Sequence, residues 1–103
     1  MTAQYRQGDV FLMEVSKLPQ NAKQEAATDK IVLAYGEVTG HSHSVRREDA
    51  TLYRDNDDSY LVVETKANLI HEEHDTIPLP AGIYKVVRQR EYNPRTLADY
   101  VSD

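Results

Sequence analysis

A chain of 103 residues has room for one modest hydrophobic core and not for two. A hydrophobic share of 40%, with seven tyrosines, one phenylalanine and no tryptophan, suits a small globular β protein better than a disordered chain. The formal net charge of −5 argues against nonspecific binding to nucleic acid, and the absence of cysteine leaves only nitrogen and oxygen ligands for any metal. The first residues carry no apolar signal region and no stretch approaches the length of a membrane span, so the expectation is a cytoplasmic protein with no membrane contact.

Residues 9–15 place apolar side chains on both alternating faces, which predicts a well-buried strand opening after Gly8 and ended by Pro19. Residues 21–29 are polar and read as a surface loop, or a short helix capped by Asn21. A second apolar run, 31–35, leads into Gly36 and Gly40, which let the backbone bend before the residues that follow. Residues 51–53 and 60–64 flank the turn-forming stretch 54–59 and predict a β-hairpin. A short strand over 67–71 puts His71 on the face of Ala67 and Leu69, so that if Leu69 points inward His71 does too. Residues 79–82 fit a type I turn with proline second and glycine fourth. From Ile83 a β-like run continues to Tyr92, with Ile83 and Val87 on one face. Asn93 and Pro94 stop it with the chemistry of a helix start, and Leu97, Tyr100 and Val101 would form the apolar side of a short C-terminal helix. The expected organisation is a single β domain over 1–92 and a tail or short helix over 93–103, the domain being an all-β barrel or sandwich.

All four histidines fall in two tight pairs, His41 with His43 and His71 with His74, and Glu37, Glu48, Glu72, Glu73 and Asp75 lie close in sequence. Neutral imidazole is the commonest metal ligand, and an H-x-H pair on a strand turns both rings to one face. The second pair, three apart, cannot share a face of a straight strand, and its neighbours place it at the irregular end of one. The two pairs meet if the hairpin between them returns the chain to the same end of a barrel. The bland alternative is an edge strand with solvent-facing histidines followed by a charged turn. Four histidines would close a structural or transport site, whereas three with a carboxylate and an open position would make a catalytic one, and both remain open. For such a sulfur-free, nitrogen-rich set, zinc is the first expectation, with iron or nickel next. Glu72 or Glu73 is the candidate general base acting on a metal-bound water.

Other features carry less. Arg88, Arg90 and Tyr92 share one strand face that would suit a small anionic ligand, or would simply be solvated. Ser42 and Ser44 lack a surrounding nucleophile motif, and no glycine-rich phosphate loop is present. Exposed strand edges point to a homodimer as the protein partner.

His41, Ser42 and His43, followed by Ser44, Val45, Arg46, Arg47 and Glu48, have the spacing H-x-H-x4-E, which resembles the first motif of the cupins, and Pro80, Ala81 and Gly82 are similar to the P-x-G of their second. Cupins are small β-barrels that hold a transition metal with three histidines and a glutamate. The resemblance therefore implies a cupin-like barrel with His41, His43 and Glu48 as ligands. It covers less than half of the chain. The expected glycine before the H-x-H is displaced to Gly36, the one after the glutamate is Asp55, and the histidine after P-x-G is Lys85. On this reading His71 and His74 replace the missing ligand. The whole pattern also resembles small bacterial and phage-type proteins of unassigned function, which implies no activity. Three classes remain: a metal-binding protein, a metal-dependent enzyme, and a metal-free module that holds a protein or nucleic acid on the face of residues 88–92.

Overall fold

The computed structural model describes residues 3–27, 29–35 and 40–88. Those residues form eight strands: β1 (Gln4–Gln7), β2 (Val10–Val15), β3 (Lys23–Glu25), β4 (Lys30–Tyr35), β5 (Ser42–Arg46), β6 (Ala50–Asp55), β7 (Asp58–Leu69) and β8 (Ile77–Arg88). The fold is all-β, as the alternating apolar pattern predicts, and each strand pairing is antiparallel. Six strands make one sheet in the order β1-β2-β8-β7-β6-β3, and β4 and β5 make a second. Ile31, Ala34 and Val45 of the small sheet share one buried cluster with Val10, Leu12, Leu61, Leu69, Leu79 and Tyr84 of the large one. Burying both inner faces against each other is what an antiparallel arrangement of this size requires, in a small barrel or sandwich. Among the described residues, no helix is long and apolar enough to cross a membrane.

Two-residue turns set the register of two hairpins in the large sheet. Gln7 pairs with Val10, leaving Gly8 and Asp9 as the turn, and Gly8 has the left-handed φ of 60° that suits the first central position of a type II′ turn. Asp55 pairs with Asp58, and Asn56 takes φ 57°, a conformation that asparagine tolerates better than most residues. The hairpin expected around residues 54–59 is therefore present, with its turn tightened to Asn56 and Asp57.

Several expectations are corrected. Strand β2 is buried on one face only: Val10 and Leu12 are fully covered, Phe11 is half-buried beneath the Arg6 guanidinium, and Met13 is exposed. The polar stretch after Asn21 contains β3, an exposed three-residue strand held to β6 by backbone pairing. The run at 60–64 and the first three residues of that at 67–71 belong to one strand, β7, whose register against β8 shifts between Val63 and Lys66, leaving Glu64 and Thr65 as a bulge. Pro80, Ala81 and Gly82 are not a turn. They lie inside β8, and Pro78 and Pro80 pair with Asn68 and Lys66. Strand β2 reaches only Ile83 to Arg88 of β8, so the first half of β8 has a single neighbour. The missing proline N–H groups face that open side, where the Pro80 carbonyl accepts the Tyr84 hydroxyl at 2.7 Å. The expected strand end at Tyr92 and the helix and tail over 93–103 lie outside the described residues.

Candidate metal centre

One backbone contact assembles the site. Ser44 of β5 and Ile70, just past β7, form an antiparallel bridge in which each N–H donates to the other carbonyl, at 2.9 and 2.8 Å. Continuing that register outward sets His43 opposite His71, Ser42 opposite Glu72 and His41 opposite Glu73. All three pairs are in contact. The rings of His43 and His71 lie 4.4 Å apart, the Ser42 N–H donates to Glu72 Oε1 at 2.9 Å, and His41 Nδ1 lies 3.1 Å from Glu73 Oε2. Beyond β7 the chain leaves extended structure, which lets His74 turn back so that its ring lies 4.5 Å from His71 and 5.9 Å from His43. His41 meets His71 edge-on at 5.6 Å. The structure thus gathers all four histidines. Leu33, the extra residue of a bulge in β4, lies beside the point where Ala34 pairs with His43.

The ring nitrogens are individually committed. Gln7 donates both of its amide hydrogens, to the carbonyls of Leu69 and Asp75, each at 3.0 Å. That fixes its orientation, so Gln7 Oε1 must accept from His43 Nδ1–H at 2.9 Å. His43 Nε2 then carries the lone pair, and it lies 3.5 Å from Asp9 Oδ1. Burial, and next the neighbouring His71, push the His43 imidazole down from 6.5 to about 4, against the opposing pull of Asp9. The ring is therefore neutral, the form that ligates metal. His41 is oriented by the Glu73 carboxylate through Nδ1, a pairing that leaves its Nε2 to carry the lone pair. His71 differs: its Nδ1 accepts the Glu73 N–H at 3.0 Å. The Ser42 N–H holds the Glu72 carboxyl below the usual carboxylate range. One ligand atom each from His41, His71 and Glu72 lie within 4.8 Å of one another, a grouping that a cation could close.

His71 is buried, as the inward phase of Ala67 and Leu69 predicts, and so is His43, while His41 is half-buried and His74, Glu72 and Glu73 are exposed. Glu48 is not brought to the histidines by any described contact. It lies in the turn between β5 and β6, exposed, where Arg46 donates to it at 2.7 Å and keeps its carboxyl low. Arg88 is half-buried, donates to the Tyr35 carbonyl at 3.5 Å, and its charge reaches His43. Arg90 and Tyr92, its expected companions in anion binding, lie outside the described residues, as does Glu37. Gln7 and Asp9 were not among the expected site residues. The available signal was Gly8-Asp9 as a two-residue hairpin turn, which would have placed a strand before Gly8 and its end beside the histidines.

Fold and centre together define a small antiparallel β domain with a histidine-rich polar cluster built across two sheets. Residues 6–89 match the model of a domain of unknown function, DUF8820, and the chain belongs to that family. The matched span contains every residue of the cluster. No curated protein and no solved structure matches the chain.

Proposed function

We propose that the protein is a cytoplasmic metal-binding β protein that holds a divalent transition metal, zinc before iron or nickel, at His41, His43, His71 and His74. The observation that carries this reading is the convergence of two sequence-distant histidine pairs with ring centroids 4.4 to 5.9 Å apart. Two of the rings are already held by partners typical of ligating histidines, an amide oxygen on His43 and a carboxylate on His41. An acid-base role for Glu72 or Glu73 is the weaker reading. Glu72 receives a backbone N–H and Glu73 faces an imidazole, so both are engaged in orienting the cluster.

Elemental analysis of protein purified without a histidine tag tests the proposal. One or more equivalents of metal are expected, and the double variant His41→Ala, His43→Ala loses them while keeping its β-sheet circular dichroism. Native protein that carries no metal and takes up none on titration overturns the reading and turns attention to a binding partner.

A further inference from the structure

The donors of the cluster converge in one part of it. One ligand atom each from His41, His71 and Glu72 lie within 4.8 Å of one another, and among the described residues no nitrogen of His43 or His74 belongs to that set. Two ligands on a tetrahedral ion lie about 3.3 Å apart when each metal–ligand bond is near 2.0 Å, so the set closes on an ion by contracting about 1.5 Å at most. Two of its members are set by the opposite segment. Glu73 Oε2 takes the Nδ1–H of His41 at 3.1 Å, which leaves the lone pair on Nε2. The Ser42 N–H occupies Glu72 Oε1 at 2.9 Å and leaves Oε2 outside that bond. His71 accepts the Glu73 N–H on Nδ1 at 3.0 Å, so a neutral His71 ligates by giving up that bond, whichever nitrogen it uses. His43 is employed elsewhere: its Nδ1–H goes to Gln7, its Nε2 lies on the Asp9 side, and His74 stacks on it with planes 17° apart.

We propose that the ion is held by His41, His71 and Glu72 as a three-ligand site with an open position, which takes water or a small anion in exchange. This rests on the metal-binding reading above and narrows its ligands, with Glu72 in place of His43 and His74. Two imidazoles and a carboxylate are a donor set of catalytic zinc and of iron(II) sites, whereas four histidines saturate a tetrahedral ion. Exposure agrees with an open position, since Glu72 is exposed and His41 half-buried, so solvent reaches that side of the cluster. His43 and His74 pack their rings 4.4 and 4.5 Å from that of His71 and back it without ligating. Glu72 is on this assignment a ligand and not a general base.

Titration of metal-stripped protein with Zn²⁺, and with Co²⁺ followed by its visible absorption, tests this. One equivalent is expected for the native chain, and azide added to the cobalt form is expected to change its visible spectrum by entering the open position. Glu72→Gln keeps an oxygen to accept the Ser42 N–H but loses the charge, and is expected to bind Zn²⁺ at least about 100-fold more weakly, more than the loss of a residue that only orients a ligand. His74→Ala is expected to bind as the native chain does. Thermal unfolding of each stripped variant confirms that the fold is retained. Affinity that is unchanged in Glu72→Gln or lost in His74→Ala, or a cobalt spectrum that azide leaves unmoved, overturns the open three-ligand site while leaving metal binding intact. No uptake at all removes the underlying reading as well.

Discussion

His43 is defined by what lies on its two nitrogens, and both partners come from β1 and the turn after it. Gly8 holds that turn in place. Replacing it with alanine adds a methyl 2.9 Å from His74 Nε2 at a residue whose φ is 60°. Gly8→Ala is therefore expected to cost about 1–2 kcal/mol in urea unfolding and to weaken zinc binding. Unchanged affinity would show that the turn does not shape the cluster. The histidines were legible because metal-ligand spacing is a local pattern and because Leu69 fixes the inward phase of His71. Gln7 and Asp9 were not, since a glutamine and an aspartate flanking a glycine have no spacing signature. They become neighbours of His43 only through tertiary contact between segments 36 residues apart.

At the scale of elements, the centre depends on how β5 docks on the end of β7. Ile70→Pro removes the N–H that donates to the Ser44 carbonyl at 2.8 Å. The variant is expected to lose about 1–3 kcal/mol of stability and most of its zinc affinity, whereas Ile70→Ala, at a partly exposed side chain, should stay within about 0.5 kcal/mol. Denaturant unfolding and zinc titration check both, and a proline variant that binds normally would rule out the bridge as the organising contact. Strands β2, β4 and the β6–β7 hairpin could be read from the sequence because they alternate or carry turn residues. Strands β1 and β3, Gln4–Gln7 and Lys23–Glu25, have no apolar pattern and are strands only because a neighbour pairs with them. Pro78 and Pro80 mislead for a related reason. Proline argues against a strand interior unless one edge is open, and the open edge here follows from how far β2 extends, which no local pattern records.

For the whole molecule, two buried groups set opposite limits on stability. In metal-stripped protein the unfolded chain protonates His43 near its ordinary value of 6.5, whereas the folded chain does so only near about 4. The unfolded state binds more protons between those values, so stability falls as pH drops through that window, by on the order of 3 kcal/mol from this group. Tyr84 acts at the other end. Burial pushes its hydroxyl up from 10.0 to about 12, so the folded state keeps a proton that the unfolded state has lost, and stability falls as pH rises across that interval. Urea midpoints measured with chelator present should decline on both limbs. A flat acid limb would mean that His43 is solvated.

The bridge between Ser44 and Ile70 joins two sheets that no disulfide can tie, because the chain has no cysteine. An ion held by His41, His71 and Glu72 would tether two segments that are far apart in sequence, closing a long loop. The unfolded chain would lose much of its freedom, as it does when a covalent cross-link is introduced, and metal supply would then govern how long the native chain persists.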